Sequence, residues 1–431
     1  MITVAVAQGG CEIDSLAGDA LPRGYCYLVD DDLSTPIEPA LLWLSNTYPP
    51  VQKLWRPATV EASAYDLCDW WRFLEHIKRP WDEAGSDDLA AYRDGLLVAI
   101  SPNQQRPFSA KTIARRVRTV GAFYDWALDR GYVAGEPISP KTIVLTKRPI
   151  DRDALGHIST GTGSQLRKVH VLAPRVSTDS DERVCPLTSA EWRNVAKMLG
   201  PLPSESFGGA EGLCRDRLAA EVSLWTGMRA DEVAGLTIHQ VLELDRACGP
   251  ESIAAVDLTR TKGLRRRKVL VPRHLIDELI SYMDTERAEA VKTGRRFRRG
   301  REPAALFVNG LAARHHAGLP IQSYTLSSAF SRSVSAAGYL RSVEKVDLAT
   351  GKTYIDHLPG HCFHDLRHTF AVWLYHAEIA AGNPEPWKNL QARLGHKSLN
   401  TTRDIYLRTV DIFRSSVNDN VYQYLRRSFG A

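Results

Sequence analysis

Apolar positions recur at helical spacing along the first third of the chain. Ala64, Leu67, Cys68, Trp71 and Leu74 share one face of a predicted helix. Ser86-Asp87-Asp88 ahead of Leu89 has the character of a helix start, and the pattern continues through Tyr92 to Leu97. A third helix follows Ser109, with Ile113, Val117, Val120, Tyr124 and Ala127 as its apolar stripe and Gly131 as its stop signal. Arg115, Arg116 and Arg118 lie largely off that stripe. Residues 41–135 therefore read as a compact helical domain with a basic surface. Residues 1–40 are acidic and turn-rich, with Pro22, Pro36 and Pro39. The run 25–29 suits a short strand, but no place in a core is evident, so an acidic N-terminal extension is expected.

From 136 to 184 the periodicity dissolves into Pro, Gly, Ser and Thr, as in Ser159-Thr160-Gly161-Thr162-Gly163-Ser164, which predicts a long linker. Thr188 and Glu191 then stand at capping-box spacing and open a second domain, placed at 185–410. Helices fit 189–199 and 213–225. The apolar runs 253–258 and 268–272 read as a hairpin around Lys262-Gly263. A short apolar segment at 304–309, a helix at 323–337 and a second hairpin over 346–354, with Thr350-Gly351-Lys352 at its tip, follow. Helices are predicted again at 363–376, at 385–394 with Gly395 as the stop, at 401–408, and as an amphipathic terminal segment over 411–428. Helices with a few short strands make the expected class mainly α with a small β-sheet (α+β). No internal repeat is visible.

Composition narrows the functional classes. The chain has 431 residues, too many for one ordinary core, with 44% hydrophobic and 24% charged residues, which is ordinary globular usage. The net charge is +5, but residues 1–40 hold seven acids against Arg23 alone, so the remainder carries about +11. That balance favours a polyanionic partner. Seven cysteines stand at 11, 26, 68, 185, 214, 248 and 362 without a CxxC pair, which points to reduced thiols rather than a disulfide framework or zinc site. No apolar run approaches the ~20 residues of a membrane span, and the start MITVAVAQGG lacks a secretory n-region, so a cytoplasmic protein without membrane association is expected.

The chemistry-bearing residues cluster near the C-terminus. His364-Asp365-Leu366-Arg367-His368-Thr369-Phe370 is followed by Leu394-Gly395-His396 and Tyr406; Thr226-Gly227-Met228-Arg229-Ala230-Asp231-Glu232 and Arg260-Thr261-Lys262-Gly263 lie upstream. Guanidinium groups present a planar fork of donors to phosphate oxygens, and a phenol can attack phosphorus and hold it covalently. His364 sits three residues before Arg367, on one helical face; its imidazole could bond a phosphate or accept a phenolic proton. Asn400 or Thr401 would cap a short helix bearing Tyr406. Each residue alone has an ordinary explanation as a solvated arginine, a packed histidine or an interfacial tyrosine. For Lys262 that explanation is strongest, because Arg265, Arg266, Arg267 and Lys268 follow and the whole tip could bind nucleic-acid backbone.

In this order Arg229, Lys262, His364-x-x-Arg367, His396 and Tyr406 resemble the tyrosine recombinase (phage integrase) family. The resemblance covers roughly 41–135 and 186–410. It implies a helical core-binding domain at 41–135 and a mixed α/β catalytic domain at 185–410, closing as a clamp on duplex DNA. It makes Tyr406 the nucleophile, Arg229 and Arg367 the phosphate clamp, His364 and His396 further catalytic groups, and Lys262 the general acid. Glu232 resembles the family's acidic residue that orients catalytic neighbours. Arg115, Arg116, Arg118, Arg265, Arg266 and Arg267 are the expected DNA-binding residues. The implied reaction is site-specific cutting and rejoining of double-stranded DNA through a 3′-phosphotyrosyl intermediate. It conserves bond energy, and no Asp/Glu metal cluster or Gly-rich phosphate loop appears in the sequence, so no metal or cofactor is expected. Family behaviour implies a homo-tetramer on paired sites, with residues 411–431 as a tail packing in trans, packing in cis on its own domain being the alternative, and accessory proteins left open. The extensions favour an integrase or transposase of a mobile element. A Xer-type resolvase, a type IB topoisomerase and a catalytically inactive DNA-binding regulator stay open as alternatives.

Overall fold

Residue Ile2 opens a strand whose inward face is already part of a core. The computed structural model describes residues 1–8, 21–50, 56–134, 138, 140–145, 165–170, 172–174, 185–206, 213–249, 252–258, 267–297 and 302–395. The chain divides into two compact units, Met1–Thr178 with Glu344–Tyr354, and Asp179–Val343 with Ile355–Ala431. The class is α+β, mainly helical with small antiparallel sheets.

In the first unit β1 (Ile2–Val6), β2 (Cys26–Asp30) and β3 (Thr35–Pro36) form one antiparallel sheet. Ile2, Ala7, Leu21, Tyr25, Cys26 and Leu28 are buried in the same core as the helices. The expected acidic extension is thus corrected: the strands alternate, burying one face while Asp31 and Asp32 stay at the rim near the N-terminal amine. Arg72 Nε seals the join, donating to the Ile2 carbonyl at 2.7 Å. Four helices complete the unit: α1 (Glu38–Thr47), α2 (Pro57–Ile77), α3 (Ser86–Val98) and α4 (Ala110–Asp129). The apolar stripes assigned to α2 and α4 are the buried faces, and Ser109 caps α4 by accepting from Thr112 N–H at 3.2 Å. The short pair β4 (Ile100–Ser101) and β5 (Arg106–Pro107) lies between α3 and α4. The expected linker is also corrected in part, since β6 (Pro140–Leu145) and β7 (Gln165–His170) pair antiparallel along their full length.

The second unit begins at α5 (Ser189–Leu199), whose capping box joins Thr188 and Glu191 as the spacing predicts. Then come α6 (Arg215–Thr226), α7 (Ala230–Ala234), α8 (Ile238–Ala247), the hairpin β8 (Ile253–Leu258) and β9 (Arg267–Pro272), α9 (Arg273–Tyr282) and α10 (Ala288–Arg295). One π-helical turn, Met283–Arg287, joins the last two. After α11 (Ser323–Ala336), the strands β10 (Leu340–Val346) and β11 (Thr353–Pro359), whose Glu344–Tyr354 portion is counted with the first unit, flank the predicted Thr350–Lys352 tip, where Gly351 has φ +68°. The description ends with α12 (Phe363–Ala380) and α13 (Pro386–Leu394). The core runs from Leu187 to Ala377, and α6 lies within it, packed on α12, α11 and α9. Among the described residues no helix is long and apolar enough to cross a membrane.

Candidate active site

Helix α6 is buried around nearly its whole circumference, so its end fixes where the next residues emerge. It stops after Thr226 because Gly227 takes φ +66°, a left-handed conformation that glycine adopts without steric cost. A Cβ at Gly227 would lie 2.6 Å from Phe370 Cδ1 of α12, so the position also needs the missing side chain. The Ser223 hydroxyl donates to the Met228 carbonyl at 2.8 Å and locks the turn. Arg229 then becomes the N-cap of α7. Its backbone N–H donates to Glu232 Oε2 at 2.9 Å and its Nη1 to Glu232 Oε1 at 3.2 Å. Arg229 keeps 27% of its side chain exposed, whereas Glu232 keeps only 2%.

Glu232 holds a second cation. Arg267, the first residue of β9, donates from Nη2 to Glu232 Oε2 at 2.5 Å and from Nη1 to the Arg393 carbonyl of α13 at 2.6 Å. Burial pushes the Glu232 carboxyl up, but Arg267, the Arg229 backbone N–H and the Arg229 guanidinium outweigh it and leave it below the usual range. One carboxylate between two guanidiniums leaves the trio net positive.

Arg367 lies on α12 with 1% of its surface exposed. It donates to the Gly227 carbonyl and, at 2.5 Å, to the Leu394 carbonyl. The end of α6 and the end of α13 are therefore joined through one buried guanidinium, a rigid fork suited to that task. Asp365 caps the same helix by accepting from Cys362 N–H at 2.8 Å, and Thr369 accepts from Leu187 N–H at 2.8 Å. His364 is exposed at the start of α12, one helical step from Arg367, with its ring edge-on to His368 at 4.8 Å. The HDLRHTF motif thus divides its labour between a surface imidazole, a buried cation and two structural clasps.

Of the residues singled out in the sequence, Lys262, Arg265, Arg266, His396 and Tyr406 lie outside the described residues. Arg229, Glu232 and Arg367 belong to one framework, reached from the Lys262 side through Arg267 and from the His396 side through the Arg393 and Leu394 carbonyls. Arg267 needs correction as a DNA-contact residue, because its side chain is 9% exposed and turned inward. Strand alternation carries the missed signal: Arg267 falls on the face of the buried Val269 and Val271. In the first unit Arg115 is exposed but pairs with buried Asp66. Arg116 is only 17% exposed, pairs with Asp69 and lies over the Phe108 ring at 4.5 Å, so it is a structural residue. Arg118 is exposed.

Comparison with known proteins bears on the same segment. Residues 209–411 match the phage integrase family. A tyrosine recombinase XerC-like protein of Caldanaerobacter subterraneus subsp. tengcongensis is 22% identical over 322 residues, 71% of this chain. The chain covers 64% of that relative's length. Among solved structures, XerH site-specific recombinase bound to a palindromic difH substrate aligns at TM-score 0.49 and 15% identity, over 90% of this chain and 89% of that one. The Tn1549 transposon integrase with circular intermediate DNA aligns at 0.46 and 17%, over 85% and 94%. A lambda integrase dimer bound to a COC′ core site aligns at 0.47 and 16%, also over 85% and 94%. The matched segment, residues 209–411, holds the Arg229, His364-x-x-Arg367, His396 and Tyr406 pattern in order and is a phage integrase family domain.

Proposed function

We propose that this protein is a site-specific DNA recombinase that cuts and rejoins strands through a phosphotyrosine linkage. The observation that carries it is the arginine framework: Arg229 is partly exposed at a helix start and Arg367 is fixed between two backbone carbonyls, each two residues from a motif position. Tyr406 attacks a phosphodiester; the Oη–P bond forms as the P–O5′ bond breaks, leaving a 3′-phosphotyrosyl and a 5′-hydroxyl. Lys262 delivers a proton to the departing O5′. His364 supplies an imidazole that accepts the Tyr406 proton or donates to the phosphate, its ordinary pKa being near neutrality against ~10 for the phenol. Arg229 and Arg367 offset the charge that builds on the non-bridging oxygens as phosphorus becomes five-coordinate. A fixed guanidinium costs no reorganisation at that moment, which is why the carbonyl anchors of Arg367 matter. His396, which follows Gly395 in the sequence, completes the site.

The substrate is double-stranded DNA bearing two recombination sites, the acting form is a tetramer, and the protein serves a mobile element in the cytoplasm. Arg118 is an exposed cation of α4 offered to the DNA backbone. Tail residues 411–431, outside the described residues, pack on a neighbouring subunit.

The test uses a duplex with a nick beside the cleavage position, so that a short fragment leaves and religation fails. The unmodified chain should give a protein–DNA adduct that survives denaturation. Tyr406→Phe should bind the same duplex and give none. An adduct from the phenylalanine variant would move the nucleophile elsewhere; no adduct from the unmodified chain on a cognate site would leave a DNA-binding regulator. Strand exchange between two identical sites separates a recombinase from a topoisomerase acting on one.

A further inference from the structure

Arg267 bonds two segments that the proposed reaction depends on, and it lies in none of the family's motif positions. It follows Lys262 by five residues in the sequence, holds the carboxylate that holds Arg229, and bonds the carbonyl of Arg393, three residues before His396. Its Cδ is 3.0 Å from where a Cβ on Gly395 would stand, so the glycine that ends α13 at φ +64° also makes room for this side chain. Arg267 Nε is buried and meets no acceptor among the described residues, a cost a merely solvated surface arginine would not carry.

We propose that Arg267 is a positioning residue that sets Arg229, through Glu232, in register with the segment leading to His396. The proposal rests on the recombinase reading above. Two consequences follow from the geometry. Glu232 shares its two oxygens between two guanidiniums, and Arg267 takes the stronger bond at 2.5 Å against 3.2 Å for Arg229. When a phosphate engages Arg229, the carboxylate therefore keeps a partner and stays ionised. Lysine could replace the charge, but a single ammonium does not reproduce a fork that reaches a carboxylate with one nitrogen and a backbone carbonyl with the other.

The experiment compares the unmodified protein with Arg267→Met and Arg267→Lys on the nicked duplex across pH, alongside duplex affinity and thermal midpoint. Arg267→Met should form adduct about 10²-fold more slowly at neutral pH, the scale of a misplaced reacting group, with affinity within about two-fold. Its acid limb should move to higher pH, because Glu232 loses the cation that favours its charged form. Arg267→Lys should return the acid limb to its original position and recover the rate only in part. An unmoved acid limb, with loss of rate tracking loss of thermal midpoint, would show a purely structural residue and overturn the proposal. If the unmodified chain forms no adduct, the recombinase reading fails by itself. The carboxyl titration of Glu232, followed by carbon NMR in the unmodified and Arg267→Met proteins, then decides the coupling: an upward shift supports it and identical titrations reject it.

Discussion

Replacing Gly227 with alanine should separate a backbone cost from a packing cost at the centre of the site. Gly227 has φ +66°, where a residue with a Cβ loses about 1–2 kcal/mol. The new methyl would meet Phe370 Cδ1 at 2.6 Å and Cε1 at 2.8 Å, with Leu394 Cδ2 at 3.3 Å. Phe370 is 2% exposed and Leu394 fully buried, so neither can swing into solvent, and overpacking adds about 1–3 kcal/mol. The sum, about 2–5 kcal/mol, corresponds to a urea midpoint lowered by about 0.7–1.7 M for an m of about 3 kcal/mol/M. Gly382, which follows α12 in the same unit, is the matched control. It has φ +79° and nothing within 4 Å of its Cβ position, so Gly382→Ala should cost only the backbone part, about 1–2 kcal/mol. The midpoints of both variants are read from the same transition by circular dichroism. Equal shifts for the two glycines would refute the packing part and mean that Phe370 yields freely. Because the Gly227 carbonyl accepts from Arg367, the variant should also lose adduct formation by more than its stability loss predicts.

Other perturbations follow from the same framework. Lys262→Ala should cleave ordinary DNA roughly 10²–10⁴-fold more slowly yet cleave a 5′-bridging phosphorothiolate at nearly the original rate, since sulfur departs without a proton; equal impairment on both substrates assigns the proton elsewhere. Arg118→Gln should lower the slope of log affinity against log salt by about one with an unchanged thermal midpoint, whereas Arg116→Gln should lower the midpoint by breaking its contacts with Asp69 and Phe108. The Glu232 carboxyl is held below its ordinary 4.5, so its contribution to stability is present above about 4.5 and disappears as pH falls through the lower folded value. The stability gap between the unmodified protein and Glu232→Gln, followed by thermal midpoint, should therefore close on acidification and stay constant above neutrality.

Much of the secondary structure was legible because its signals are local. The stripes of α2 and α4, the Thr188–Glu191 box, the stop at Gly395 and the Thr350–Lys352 tip depend only on near neighbours in the chain. Helices over 230–247 and 273–295 are absent from the expected elements, although Val241 with Leu244, and Leu275, Ile276, Leu279 and Tyr282, keep helical spacing on their buried faces. Residues 1–40 depart from the expected extension for a different reason. Their acids dominate composition, but a strand needs only alternate residues to join a core, and Ile2, Cys26 and Leu28 suffice.

The order and spacing of Arg229, Lys262, His364, Arg367, His396 and Tyr406 are properties of the sequence by itself, and they carry the resemblance on which the proposed chemistry rests. What each arginine does was decided by the tertiary structure. Arg116, Arg118, Arg267 and Arg367 are the same side chain, with the same charge and the same reach. One is clamped on Asp69 and Phe108, one is exposed, one bridges Glu232 to Arg393, and one is buried between the carbonyls of Gly227 and Leu394. A guanidinium acquires its role from the acceptors around it, and those acceptors come from residues up to 140 positions away in the chain, brought together only when the helices pack.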